Sequence, residues 1–493
     1  MHNIPKVKMG IVAVSRGCFP LELSRSRLQR VLAACRQSKI KVIACKTIVR
    51  TDAEALKAAQ EMIAEGVNAA TIYLGNFGPE APIAILAERL GMPCMLCGAA
   101  EESKADLLGG RGDAYCGMLN ASLNCGLRQV RPYIPAQPVR LPEEIVPLIK
   151  DFMTIARVII GVRALKIFSF GPRPEDFYAC HAPLAPLYRL GVEGMENSEL
   201  DLLQRYQAAG SRRQEIAAIA QDMADELGPG NCFPRKLKAL AQFELALLSF
   251  LKDNLGARSF GVFANKCWPA FQPAFGFVPC YVNSRLARRG IPVACEVDIY
   301  GALSEYLAQL AVQQPVTLLD INNTVPQDIE ITDFRGASRA DIFMGFHCGN
   351  TPSCHLLPGY KMHYQLIMRR NLEPDSAPNI SCGTLEGRLV PGPLTLLRVQ
   401  STLDGELHGY LAEGQILDVD PVSFGGIGII AIPQFNRFYR HILLEKQFPH
   451  HTACAFEHSG RMLFEALSLL KIDPIHTPRQ AGDRYPTENP FAD

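Results

Sequence analysis

A chain of 493 residues exceeds what one hydrophobic core organises, so two to four domains are expected. Its 48% hydrophobic and 20% charged residues exclude wholesale disorder. Fifty basic against 49 acidic residues leave a formal charge of +1, so no basic field exists to hold a nucleic-acid backbone or an anionic membrane. The expected partner is a small molecule. In chain order, Lys8–Val14 reads as a strand, Leu21–Gln37 as a helix and Val42–Cys45 as a strand. Asp52–Glu65 is helical, Ala69–Leu74 a strand, Pro82–Leu90 a helix and Pro93–Cys97 a strand. Strands apolar on both faces and separated by helices of this length predict a doubly wound parallel sheet, whose ligands bind beyond the carboxyl ends of the strands. The loops Ser15–Pro20, with Arg16, and Gly75–Pro79 fall there. No glycine-rich phosphate loop follows the first strand, which disfavours a nucleotide-binding domain.

The proline-rich stretch Pro132–Pro142 reads as a linker into a second α/β region. Leu165–Phe170 and Ser259–Asn265 are strand-like, with helical patterns at Arg213–Leu227 and Arg235–Leu255 between them. Pro292–Val297 and Val316–Leu319 are further strands around the helix Gly301–Val312. Beyond Pro326 short apolar runs such as Ile342–Phe346, Leu394–Gln400 and Ile427–Ile432 are punctuated by Gly, Pro and Asp, the pattern of an antiparallel sheet or barrel. A helix near Gly460–Leu470 closes the chain. The expected fold is therefore α/β: two doubly wound α/β domains, 1–135 and 136–325, followed by a C-terminal domain, 326–493, with an antiparallel β-barrel.

The sixteen cysteines read as reduced thiols, because no signal segment precedes the first strand and most sit inside apolar runs. Cys94 and Cys97 form a lone CxxC without a second ligand pair, so they read as small apolar residues at a strand end. A cytoplasmic location is expected.

Chemistry points to carboxylates that end apolar strands. Glu296 and Asp298 follow Pro292–Cys295 two residues apart, a spacing that puts both on one strand face. Asp320 ends PVTLLD and precedes Asn322 and Asn323. At the end of a parallel strand such groups meet ligands; each can equally cap a helix or make a structural salt bridge. Histidines favour the first alternative. His450, His451 and His458 cluster in FPHHTACAFEHSG, and His347 ends another apolar run. One imidazole with two carboxylates suits Mn2+, Mg2+ or Fe2+ better than structural Zn2+.

At these residues the chain resembles the L-fucose isomerase family. GIPVACEVDIYGALSEYL resembles the strand–turn–helix that holds the family's catalytic glutamate, here Glu296. Asp320 falls where the catalytic aspartate stands. HHTACAFEHSGRMLFEALSLLKI resembles the C-terminal motif whose histidine ligates metal, here His451. HHT also resembles L-arabinose isomerases, whose further histidine ligand would be His347. NKCWPAF resembles a segment near the sugar and brings Trp268, the only tryptophan, with Lys266; SRGCF brings Arg16, which resembles an arginine supplied by a neighbouring subunit. The resemblance implies a metal-dependent aldose–ketose isomerase working through a cis-enediol on L-fucose, D-arabinose or a related sugar. It implies Mn2+ (or Mg2+, Co2+ or Fe2+) held by Glu296, Asp320 and His451, with Glu296 and Asp320 as acid and base and Asp298 orienting them from behind. It further implies a homo-oligomer, hexamer or trimer, with a site shared between subunits. Where many relatives have Gln, this chain has Asn265 and Lys266, and a lysine there suits an anionic substituent. His450 replaces an asparagine. A metal-dependent epimerase or lyase, or a non-catalytic sugar-binding protein on the same scaffold, are the alternatives.

Overall fold

The computed structural model describes residues 3–368 and 380–490. The chain divides into two compact units. One spans Pro5–Ile160; the other runs from Gly161 onward and includes Asn3 and Ile4.

The first unit is built on a five-stranded parallel sheet of β1 (Met9–Val14), β2 (Val42–Ala44), β3 (Ala69–Leu74), β4 (Cys94–Ala99) and β5 (Val139–Arg140), in the order β2-β1-β3-β4-β5. Every residue of β1, β3 and β4 is buried, as expected for strands covered on both faces. The helix Asp52–Ala64 starts on a reciprocal cap, Thr51 accepting from the Glu54 backbone and Glu54 reaching back. Val12, Ile72 and Leu96 centre the core. The expected wound sheet is therefore present. The Pro132–Pro142 stretch is more than a spacer, because Val139 and Arg140 pair with Gly98 and Ala99 as a fifth strand. Two residues carry no periodic signal by which sequence could show this.

The larger unit contains two sheets. A four-stranded parallel sheet has the order β7-β6-β8-β9, with β6 (Leu165–Phe170), β7 (Glu193–Asn197), β8 (Phe260–Ala264) and β9 (Val293–Ala294). Phe168, Phe243, Phe263 and Phe277 fill the space between it and its helices. The third sheet has nine strands: β10 (Thr317–Asn323), β11 (Ile342–His347), β12 (Lys361–Tyr364), β13 (Cys382–Arg388), β14 (Gly392–Ser401), β15 (Leu407–Ile416), β16 (Gly426–Ala431), β17 (His451–Ala455) and β18 (Ile475–His476). Its order is β12-β13-β16-β11-β10-β17-β14-β15-β18, mostly antiparallel, and an extra β15–β16 pairing returns it on itself. The strands of that circuit are not spaced evenly round an axis, and the C-terminal region is one large, mostly antiparallel sheet.

The structure corrects two local expectations. The strand carrying Asp320 belongs to the antiparallel sheet, between β11 and β17, rather than to the parallel one. Glu296 and Asp298 do not alternate on a strand. β9 ends at Ala294, and Glu296 and Val297 take positive φ of 50° and 59° in a sharp turn. Positive φ is unfavourable for any non-glycine residue and most so for β-branched valine. Hydrogen bonds from Val297 N to Asn265 O (3.0 Å) and from Asp298 N to Cys295 O (2.9 Å) hold the turn.

Candidate functional site

The site begins with this turn. Asp298 caps the helix Ile299–Val312, accepting from Gly301 N at 2.8 Å. A side chain at Gly301 would place its Cβ 2.6 Å from Asp298 Oδ2, so only glycine fits there. The same carboxylate receives the Arg398 guanidinium from β14, with Nη2 donating to Oδ1 at 3.0 Å. Both residues are essentially inaccessible to solvent. Arg398 is also held by Gln400 Oε1 at 2.6 Å. Burial pushes the Asp298 carboxyl up, but the Arg398 charge and the His451 hydrogen bond hold it far below the usual range. The structural alternatives foreseen for this carboxylate, helix cap and salt bridge, are both realised.

Asp320 on β10 and His451 on β17 stand directly opposite each other in antiparallel register. The buried His451 ring joins three carboxylates. Nδ1 lies 2.8 Å from Asp298 Oδ2; Nε2 lies 3.0 Å from Glu296 Oε2 and 3.4 Å from Asp320 Oδ1. Glu296 Oε2, Asp320 Oδ1 and His451 Nε2 are all buried and none completes a hydrogen bond of acceptable geometry. Unsatisfied buried polar atoms are costly and uncommon in native interiors. Here two such carboxylate oxygens, 3.0 and 3.4 Å away, face one such imidazole nitrogen, a donor set that suits a divalent cation. One imidazole nitrogen with two carboxylate oxygens favours a hard or borderline ion. With Nε2 facing those oxygens, Nδ1–H donates to Asp298, the usual device for fixing a metal-ligating histidine in one tautomer.

Around this trio, His347 ends β11 with its Nδ1 buried and unpartnered, and its ring centroid lies 6.0 Å from that of His451. Ligand atoms of Cys295, Glu296 and His347 all fall within 4.8 Å of one another, as do those of Asp320, His450 and His451. Burial lowers His347 and His450 to about 4, so both are neutral donors at physiological pH. The two acids are driven apart. Burial and the Glu296 charge push Asp320 up to about 7. Burial pushes Glu296 up as well, but the adjoining His451 imidazole, whose Nε2 lies 3.0 Å away, outweighs it and leaves Glu296 below its ordinary value. One carboxylate is thus ionised and the other protonatable near neutrality, the division of labour that acid–base chemistry requires. These are the effects of the protein's own groups; a bound cation draws both carboxylates down.

The remaining expected residues are placed differently. Lys266 is buried, but its Nζ donates to Pro172 O at 2.9 Å and pairs with Glu199 at 3.3 Å. Trp268 packs against the Cys267, Val278 and Cys280 cluster. Arg16 belongs to the N-terminal unit, where it pairs with Glu80 at 3.1 Å and lies over the Phe77 ring. Sequence reasoning missed Arg398, Cys180, whose Sγ is 3.7 Å from His451 Nδ1, and Phe177, whose ring meets His450 edge-on at 5.4 Å. For Arg398 a signal existed: it is the lone charge in the apolar run LTLLRVQ.

With this geometry established, comparisons with known proteins are informative. The family "Fucose/sulfoquinovose isomerase, N-terminal domain" matches residues 10–163, and "L-fucose isomerase, C-terminal domain" matches residues 345–476. His347, His450 and His451 lie within the second match; Glu296 and Asp320 lie between the two. A sulfoquinovose isomerase of a Clostridium species is 26% identical over 306 residues, 59% of this chain and 60% of the relative. One from Alkalicoccus urumqiensis is 26% identical over 297 residues with the same coverage. One from Priestia aryabhattai is 22% identical over 54% of each chain. The matched stretch is thus less than two thirds of each relative.

Proposed function

Since the chain belongs to the fucose isomerase-like family, we propose that it is a metal-dependent aldose–ketose isomerase acting on a hexose through a cis-enediol. The observation that carries this reading is that Glu296 Oε2 and Asp320 Oδ1 both face His451 Nε2, all three buried and without hydrogen bonds. Moving a carbonyl from C1 to C2 requires a proton to leave C2 and one to arrive at C1. A divalent cation, Mn2+ before Mg2+, Co2+ or Fe2+, supplies Lewis acidity at the carbonyl and neighbouring hydroxyl when bound.

The protein's residues divide the remaining work. Glu296 takes the proton from C2 while Asp320, the more readily protonated of the two, gives one to the oxygen on C1. The enediol forms. Asp320 then recovers a proton from the oxygen on C2 and Glu296 delivers its proton to C1, so both side chains end as they began. His451 fixes the two carboxylates relative to each other, and Asp298 with Arg398 fixes His451. Phe177 and the buried strand β17 limit water at the reacting carbons, which protects the enediol from side reactions.

The names of the relatives favour a sulfonated hexose over L-fucose or D-arabinose. We propose three functional domains along the chain, 1–135, 136–325 and 326–493. We also propose a homo-oligomer, a hexamer or trimer, in which Arg16 of one copy serves another's site. No helix among the described residues is long and apolar enough to cross a membrane, and sixteen free thiols suit the reducing cytoplasm.

The test is proton NMR of Mn2+-loaded and metal-stripped protein with sulfonated hexoses, L-fucose, D-arabinose and L-arabinose. Metal-dependent interconversion of an aldose and its ketose is expected, best for the sulfonated sugar. Proton exchange without interconversion would replace the reading with an epimerase, and no reaction on any sugar by the loaded protein would remove it.

A further inference from the structure

The carboxyl ends of β6, β8 and β9 lie at one edge of the parallel sheet, since these strands pair in parallel register. Each feeds the site. β9 leads into the Glu296 turn and β8 into Asn265 and Lys266. β6 leads into the loop GPRPEDFYAC, residues 171–180, which ends on Phe177 against His450 and Cys180 against His451. Ligands of parallel sheets bind at this edge.

This loop carries Arg173. Its guanidinium stacks over the Tyr178 ring at 4.2 Å, and its buried Nε has no hydrogen-bond partner. No carboxylate among the described residues pairs with it. Pro174 disfavours helical backbone at the preceding Arg173, and Pro172 fixes its own φ just before it. Pro172 is further pinned by the Lys266 ammonium. The loop therefore presents a positioned, uncompensated cation, whereas Lys266, the cation expected from sequence to face an anion, already answers to Glu199.

We infer that Arg173 is the specificity-determining residue that receives a singly charged oxyanion, a sulfonate, on the end of the sugar remote from the reacting carbons. A planar fork of N–H donors matches two sulfonate oxygens at once. The charge count favours a monoanion. Among the described residues of these loops Arg173 is the one cation without a carboxylate partner, and the buried Glu199 Oε1 beside Gly171 has no partner, so a phosphate monoester near two negative charges would be under-neutralised. The inference rests on the isomerase reading for the orientation of the sugar, since the carbonyl end must face Glu296 and Asp320.

The test uses Mn2+-loaded full-length protein and two sugars: glucose with sulfonate in place of its terminal hydroxyl, and glucose deoxygenated at that carbon. Calorimetric binding and steady-state turnover of both are compared in wild type, Arg173→Gln and Arg173→Lys. Arg173→Gln should lower the preference for the sulfonated sugar roughly 10–100-fold, as expected for loss of a charge-assisted contact, and mainly through KM. Arg173→Lys, which keeps the charge but not the fork, should fall between. An unchanged preference, or equal losses on both sugars, would overturn the inference; if Arg173→Gln does not fold, Arg173→Lys carries the comparison. The two readings fail separately. Tight binding of the sulfonated sugar that depends on Arg173, without turnover, would leave the anion site standing and remove the isomerase. Turnover of the sulfonated sugar that is indifferent to Arg173 would do the reverse.

Discussion

Replacing Arg398 by methionine keeps most of the side-chain volume and removes one charge from a buried chain of contacts. Arg398 and Asp298 are 0% and 1% exposed; among the described residues Asp298 is the carboxylate paired with Arg398, and Asp298 also faces His451. Removing one partner of a buried ion pair leaves an uncompensated charge and costs about 3–5 kcal/mol. Asp298 retains its bonds from Gly301 N and His451 Nδ1, which argues for the lower end, about 3 kcal/mol. Adding Asp298→Asn removes the stranded charge, so the double variant should recover about 1–2 kcal/mol relative to the sum of the single ones. Urea unfolding of all four proteins measures this coupling. The two Asp298→Asn proteins should also bind Mn2+ roughly 10–100-fold more weakly, since a ligand histidine loses its anchoring carboxylate. Single-variant effects that add within about 0.5 kcal/mol would refute the argument, because additive sites share no interaction.

Two further predictions concern pH. Glu226, 5% exposed, accepts from Arg288 Nη1 at 2.6 Å, and also from Arg285 and Ser353. Burial alone would raise its carboxyl, but these donors hold it below its ordinary value. A lowered folded pKa stabilises above the unfolded value near 4.3 and is lost as pH falls through the folded one. Glu226→Gln should thus cost about 2–3 kcal/mol at pH 7 and progressively less below about pH 4; a gap independent of pH in urea unfolding would contradict this. Glu305, buried on the helix Ile299–Val312 with its Oε2 unpartnered, is the opposite case, its carboxyl pushed well up by burial and by the Asp298 charge. Its raised pKa stabilises fully below the unfolded value, and that contribution declines as pH rises. Glu305→Gln should therefore unfold at higher temperature than wild type at pH 8 and match it at pH 4, and calorimetric scans at the two values decide the point.

The sequence displayed the chemistry better than the backbone that delivers it. Glu296, Asp320 and His451 could be found because carboxylates and histidines are conspicuous at the ends of apolar runs. The turn that aims Glu296 was invisible, since it depends on positive φ at Glu296 and Val297, and neither residue type announces that conformation. The strand of Asp320 gave no sign of its sheet either. An apolar run reads alike in a parallel and in an interior antiparallel strand, and only its partners β11 and β17, distant in sequence, decide between them. Arg398 left a trace as a charge in an apolar strand, yet its counter-ion lies 100 residues away, beyond any local pattern. Cys180 and Phe177 sit in an irregular loop whose composition is that of any surface turn.

Deuterium wash-in at the sugar carbon by Mn2+-loaded wild type and Glu296→Gln in D2O, with bound Mn2+ quantified in each, tests the proton-carrying role of Glu296 most directly. A carboxylate that carries the proton predicts exchange in wild type and a loss of ~10²–10⁴-fold in the variant beyond any loss of metal. Exchange at the wild-type rate in metal-loaded Glu296→Gln would contradict it.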